Sequence, residues 1–175
     1  EREILVPIVH AMKNERRTFV GLLYAGIMFT KSGPKVLEFN ARFGDPETQP
    51  LMVRWKSDIV PALLAAIDGK LEDTTIEWDP RSAVCVVLAS GGYPGHYETG
   101  TEISGVDAVP DAAVFHAGTA LRDGKLVTAG GRVLGVTALG DDLASARERA
   151  YAAAKKIEFR GAHFRTDIGA KALPR

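Results

Sequence analysis

The 175-residue sequence has one cysteine, no excess charge of either sign and no long apolar run, and each absence closes off a class of function. Cys85 has no partner for a disulfide and lies in the apolar run AVCVVLA, which fits a packed, inert thiol in a reducing compartment. Lysine plus arginine number 22 and aspartate plus glutamate also number 22, with no basic stripe or acidic tail, so nothing points to a nucleic-acid partner. No stretch reaches the roughly 20 apolar residues of a membrane-spanning helix. The N-terminus carries no charged-then-apolar signal pattern, so we expect no membrane partner and a cytoplasmic location. His10, His96, His116 and His163 share no metal-ligand spacing and read as surface or satisfied core residues. There is no internal repeat and no low-complexity tract. The sequence opens at Glu1 inside an amphipathic pattern (Ile4, Leu5, Ile8, Val9, Met12), which leads us to expect that an N-terminal portion of the same protein precedes it.

With 46% hydrophobic residues the chain can bury a real core in one domain or two small ones. Residues 3 to 15 read as a helix, with Pro7 tolerable in its first turn. The run FVGLLYAGIMFT (19 to 30), the turn KSGP and the run KVLEFN (35 to 40) predict an antiparallel hairpin. A helix is expected over 57 to 67, with Ser57 as N-cap, Pro61 early and Gly69 as its stop. Residues 69 to 80 are polar and mark the domain boundary, giving domains 1–72 and 73–175. Beyond it the texture is β-rich: strands are expected at 83 to 89 and 114 to 120, with a glycine-punctuated loop SGGYPGHYETG between them. Asp123-Gly124 is the strongest hairpin signal, joining the strand at 114 to 120 to KLVTA. Gly130 and Gly131 then interrupt before RVLGVTAL, and a helix over 142 to 157 carries a small-residue stripe of Leu143, Ala146, Ala150 and Ala153.

The stretch VLEFNARFGDPETQP (36 to 50) poses the functional question. Strand alternation puts Val36, Glu38, Asn40 and Arg42 on one face. Glu38 and Asn40 offer hard oxygen donors suited to Mg²⁺ or Mn²⁺, but two ligands cannot enclose such an ion, so water or phosphate must complete the shell. Arg42 has the planar fork that grips phosphate or carboxylate. Taken alone, Glu-x-Asn-x-Arg equally describes a surface ion pair of Glu38 with Arg42. The continuation through Gly44, Asp45, Pro46 and Glu47 favours a metal-phosphate site, because Gly44 permits close approach and two further carboxylates follow at the strand end.

The run GLLYAGIMFTKSGPKVLEFNARFGDPETQPL resembles the C-terminal part of the ATP-grasp region of the phosphoribosylamine–glycine ligase (glycinamide ribonucleotide synthetase) family. The likeness continues through SGGYPGHYETG, VFHAGT, TAGGRVLGVTALG and FRTDIG, and so spans essentially the whole chain. The resemblance implies an α+β architecture: the C-terminal portion of an ATP-grasp fold, an antiparallel sheet with helices, followed by a small β-rich C-terminal domain. It implies that Glu38 and Asn40 bind the Mg²⁺ or Mn²⁺ that bridges the ATP phosphates, that Arg42 faces the transferred phosphoryl group, and that Asp45 lies near the glycine or amine substrate. The family joins glycine to 5-phosphoribosylamine in purine biosynthesis, cleaving ATP to ADP and phosphate through a glycyl phosphate intermediate. Such chemistry needs neutralised phosphate charge and aligned reactants rather than an enzyme nucleophile, in keeping with the lack of a Ser-His-Asp or Cys-His constellation. The family's N-terminal substrate domain, and the half of the ATP-grasp region that covers the nucleotide, have no counterpart in these residues.

A second candidate is TAGGRVLGVTALG. Gly130 and Gly131 allow backbone to approach a ligand, and Arg132 at the strand start could pair with a sugar phosphate; the alternative is a glycine bulge beside a solvated arginine. By analogy with related ATP-grasp enzymes of purine synthesis, Arg132 is expected on the ribose 5-phosphate. Tyr93-Pro94-Gly95 reads only as a turn, and Arg165 with Asp167 as a structural ion pair. Two other readings stay open at this point: an ATP-grasp ligase for a different acid or amine, and a non-catalytic binding or assembly module.

Overall fold

A computed structural model describes residues 1–173 and divides into two compact units. The first comprises residues 1–45 and 57–77, the second residues 46–56 and 78 onward.

The first unit contains helix α1 (Leu5–Asn14), the hairpin β1 (Tyr24–Thr30) and β2 (Gly33–Asn40), and a further helix at Ile59–Ile67. Pro7 sits in the first turn of α1, where its missing N–H has no helical acceptor to lose. The expected strand from Phe19 begins only at Tyr24, five residues late, because Gly21 turns the backbone at φ 137° just before it. Thr30 closes the hairpin, its hydroxyl accepting from Ser32 N at 3.2 Å and donating to Gly33 O at 2.8 Å. The helix Ile59–Ile67 is capped by Asp58, whose carboxylate accepts from Val60 N at 2.9 Å. Ser57, the expected cap, instead accepts from Glu77 N at 3.2 Å. Asp58 wins because its side-chain oxygen is one bond longer and sits one residue nearer the first free N–H.

The second unit opens with a helix that the sequence reading did not contain, Thr48–Arg54, here α2; the helix Ile59–Ile67 is then α3. Seven residues, with Pro46 in the turn before them and Pro50 inside the first turn, are too short to register as amphipathic. Strands β3 (Ser82–Ala89), β4 (Ala113–His116) and β7 (Arg132–Gly140) form an antiparallel sheet in the order β3-β7-β4. Strands β5 (Thr119–Arg122) and β6 (Lys125–Thr128) form a separate hairpin. Asp123 and Gly124 turn it at φ 49° and 76°, the two left-handed positions that a two-residue hairpin loop with this twist demands.

The single expected strand at 114 to 120 is in fact β4 and β5, paired to different strands. The break falls at Gly118, where a Cβ would lie 2.6 Å from Arg132 O and 2.7 Å from Gly130 Cα. Two backbones cross there too closely for a side chain.

Helix α4 (Leu143–Ala154) covers one face of the sheet. Asp142 caps it, accepting from Ser145 N at 2.7 Å, while the Ser145 hydroxyl accepts from Asp142 N at 3.2 Å. The Ser145 backbone N–H, then its hydroxyl, hold the Asp142 carboxyl below the usual range. Of the expected stripe, Ala146 and Ala150 are fully buried in the core with Val86, Leu88, Leu134 and Val136, Ala153 is buried and Leu143 is partly buried; Ala154, outside that stripe, is fully buried too, and these small side chains let helix and sheet approach closely. Gly140 marks how closely, since a Cβ there would stand 2.2 Å from Ala146 N. On the other face α2 brings Gln49 over Gly135, with the buried thiol of Cys85 beside it. Cover on both faces explains why β7 reads as a nearly unbroken apolar run.

Both ends of the unit are pinned by ring and polar contacts. Trp55 meets Trp78 edge-on at 5.0 Å, and Asp79 N donates to Arg54 O at 2.7 Å. The buried Asp79 carboxylate receives Arg81 Nε at 3.0 Å and Nη2 at 2.7 Å, which keeps it ionised well below the usual range. At the C-terminal end Arg165 and Asp167 form the expected ion pair at 2.9 and 2.6 Å.

Candidate functional site

The first unit assembles its polar group at the end of β2. Glu38 and Asn40 lie side by side, with Asn40 Nδ2 donating to Glu38 Oε1 at 3.1 Å. Their cross-strand partners are Gly26 and Tyr24. Sequence reasoning passed over Gly26: a Cβ there would stand 3.1 Å from Glu38 Cγ, so the glycine leaves room for the Glu38 side chain. Its signal was visible, since a lone glycine inside a strand pattern marks a close approach.

The expected row of four is shorter than alternation predicts. The ladder slips between Gly26 and Ile27, which face Glu38 and Val36, leaving Leu37 as the extra residue of a bulge. Alternation is therefore interrupted between Val36 and Glu38. The strand ends at Asn40, so Arg42 belongs to the bend that follows, where its Nη1 donates to Phe43 O at 2.7 Å. Gly44 is buried and Asp45 exposed at the start of the turn into α2. Among the described residues no group of three or more His, Cys, Asp or Glu could hold a metal ion by itself.

The second unit assembles a different group around Gly130, Gly131 and Arg132. Ser90 binds this segment twice, its N–H to Gly131 O and its hydroxyl to Gly130 O, both at 2.8 Å. The loop continuing from Ser90 lays the Tyr93 ring on Gly131, where a Cβ would sit 2.2 Å from Tyr93 Cδ2. The Tyr93 hydroxyl accepts from Arg132 Nε at 3.0 Å, and the guanidinium carbon lies 6.0 Å from the ring centroid. Tyr97 supports the ring edge-on at 6.0 Å. Thus Gly131 is a seat for an aromatic ring as well as a point of backbone approach, and Tyr93 has a role beyond a turn. Spacing could not reveal this, because 39 residues separate the partners. A cavity of about 740 Å³ toward the opposite end of β7, lined by Arg81, Thr137, Leu139 and Arg149 among others, holds none of these residues. His116, as expected, has a local role: Nδ1 lies 3.0 Å from the Thr119 hydroxyl.

Comparison with known proteins gives these groups a context. The family model described as phosphoribosylglycinamide synthetase, ATP-grasp (A) domain, matches residues 1–48, so the class is that of the ATP-grasp proteins. The model for the C domain of the same synthetase matches residues 83–171, and the chain belongs to the phosphoribosylglycinamide synthetase family. It is 56% identical to the phosphoribosylamine–glycine ligase of Rhodopirellula baltica, over 99% of this chain and 40% of that protein. Against the enzyme of the same description from Caldanaerobacter subterraneus the identity is 53%, over 97% of this chain and 41% of that one. The crystal structure of phosphoribosylamine–glycine ligase from Thermotoga maritima superposes with a TM-score of 0.77 at 39% identity, covering 91% of this chain and 39% of that chain. The chain therefore spans about 40% of the length of the curated relatives it matches. The mixed α+β architecture with antiparallel sheets is that of the family. Among the described residues no helix is long and apolar enough to cross a membrane.

Proposed function

We propose that this chain contributes the metal-phosphate strand and a sugar-phosphate contact to a cytoplasmic ligase of purine biosynthesis. The ligase joins glycine to 5-phosphoribosylamine, giving glycinamide ribonucleotide, ADP and phosphate. Residues 1–72 belong, in this reading, to the C-terminal part of an ATP-grasp domain, and residues 73–175 to the family's C-terminal domain. The activity is that of the whole ligase, of which these residues carry a part. The observation that supports it most is the Glu38–Asn40 pair, 3.1 Å apart within the segment matched by the ATP-grasp model.

The donor chemistry fits Mg²⁺ or Mn²⁺: a carboxylate and an amide oxygen are the hard ligands such ions take, with phosphate oxygens and water for the rest. When bound, the ion would neutralise charge on the ATP phosphates. Asn40 spends an amide N–H on Glu38 Oε1, which leaves Asn40 Oδ1 and Glu38 Oε2 as the oxygens to offer such an ion. Arg42 lies two residues further on, in the bend after the strand, and would face the transferred phosphoryl group, its fork matching the phosphate oxygens. The γ-phosphoryl passes from ATP to a glycine carboxylate oxygen, releasing ADP. The amine of phosphoribosylamine then attacks the glycyl phosphate carbonyl, phosphate leaves, and the nitrogen loses a proton. Asp45 would lie beside the glycine or amine and orient it. Arg132, with Gly130 and Gly131 clearing the approach, would grip the 5-phosphate of the sugar.

The test uses the complete ligase carrying Glu38→Gln, Asn40→Leu or Arg132→Ala. Losing either donor should lower the rate roughly 10²–10³-fold at limiting Mg²⁺, the usual effect of losing one transition-state charge contact. Arg132→Ala should raise KM for phosphoribosylamine far more than for glycine or ATP, since a phosphate grip is made in ground and transition states alike. Full rates at every Mg²⁺ concentration would return Glu38 and Asn40 to a surface hydrogen bond.

A further inference from the structure

We infer that Tyr93 is a positioning residue for the phosphate end of phosphoribosylamine, acting by fixing the plane and reach of the Arg132 guanidinium. The inference rests on the assignment of Arg132 to the sugar phosphate and adds a residue to it. Three observations carry it. The Tyr93 hydroxyl accepts from Nε at 3.0 Å, so the guanidinium is anchored to the ring through its inner nitrogen. The ring lies alongside the guanidinium at 6.0 Å, which limits swing of the long side chain. The ring itself is held: Tyr97 abuts it at 6.0 Å, Tyr93 N donates to Ser90 O at 3.1 Å, and Ser90 is bound to Gly130 and Gly131.

A guanidinium fork pairs with carboxylate or phosphate, and the assignment of Arg132 to the sugar makes phosphate the ligand here. A bidentate grip on a phosphate monoester uses two parallel N–H donors, and it gains most when the fork is orientated before the ligand arrives. Gly131 belongs to the same device, because any side chain there would displace the ring from its seat. The glycine pair and the arginine are thus coupled through a tyrosine about 40 residues away in sequence.

The experiment measures steady-state kinetics of the complete ligase with Tyr93→Phe, Arg132→Ala and the double variant, varying each substrate in turn. Tyr93→Phe keeps the ring and removes only the acceptor. It should raise KM for phosphoribosylamine about tenfold, the effect of losing one hydrogen bond to a charged group. The turnover number and the KM values for ATP and glycine should stay within twofold. In the Arg132→Ala background the same change should have less than a twofold effect, because nothing is left to position. Gly131→Ala, which displaces the ring by another route, should shift KM in the same direction as Tyr93→Phe. A raised KM in Arg132→Ala with none in Tyr93→Phe would overturn this inference and leave the arginine's role standing. Effects that multiply in the double variant would overturn it as well. An unchanged KM in Arg132→Ala would overturn the phosphate assignment itself.

Discussion

Replacing Tyr151 by phenylalanine removes one oxygen atom and should cost about 2 kcal/mol of stability. Tyr151 projects from α4, packs its ring near Phe164 at 5.9 Å, and is 9% exposed. Its hydroxyl donates to Arg165 O at 2.7 Å and accepts from Ile168 N at 3.1 Å, so one atom satisfies two backbone groups of the C-terminal segment. Arg147, with its guanidinium 4.8 Å from the ring centroid, holds the same segment through Thr166 O at 2.7 Å and Ile168 O at 2.9 Å. The segment should therefore stay docked in the variant, leaving the Ile168 N–H without its acceptor. Two hydrogen bonds at about 0.5–1.5 kcal/mol each, weighted upward for that orphaned donor, give the estimate. With a urea m-value of about 2 kcal/mol/M, the midpoint should fall by about 1 M at unchanged slope. Urea titration of both proteins, followed by circular dichroism, reads this directly. A loss under about 0.5 kcal/mol would mean that water replaces the hydroxyl at no cost and that the clamp on the C-terminal segment is Arg147 alone.

Asp79 makes stability depend on acid. Its folded pKa lies below the unfolded value because Arg81 hydrogen-bonds the charged form, so the contribution is fully present above the ordinary carboxylate value of about 3.9 and is lost as pH falls through the folded pKa. Asp79→Asn should flatten the acid limb of a stability-against-pH curve, and an identical limb in both proteins would refute the assignment. Gly140→Ala should destabilise by about 1–3 kcal/mol, because the new methyl would collide with Ala146 N and with the Ser145 hydroxyl of the helix cap; thermal unfolding within a degree of the parent would show that α4 can back away. Residues 1 to 175 expressed alone should release no ADP with glycine and phosphoribosylamine, since positioning supplies most of the acceleration in phosphoryl transfer. Turnover within tenfold of a complete ligase would show that these residues already hold a whole site.

Local chemistry in the sequence determined a good part of this protein. The Asp123-Gly124 turn, the cap at Asp142, the stripe of alanines on α4 and the Arg165–Asp167 pair all rest on interactions within a few residues or on a single period, and each is present in the structure. The motif residues Glu38 and Asn40 were legible for the same reason: two positions apart on one strand, they share a face, and there Asn40 Nδ2 donates to Glu38 Oε1. Tertiary structure decided the rest. The bulge at Leu37 follows from the register with β1, and the division of residues 113 to 122 between two sheets follows from the crossing at Gly118. Helix α2 is short, and what it covers is a sheet made from residues more than 25 positions away. Tyr93 meets Arg132 across 39 residues of sequence, in a loop that starts from Ser90, itself bound to the glycine pair. Periodicity and turn chemistry act over a few residues, so they specify elements and caps. Which distant backbones pass within van der Waals contact is set when the elements pack, and the coupled glycine, tyrosine and arginine come into being only at that step.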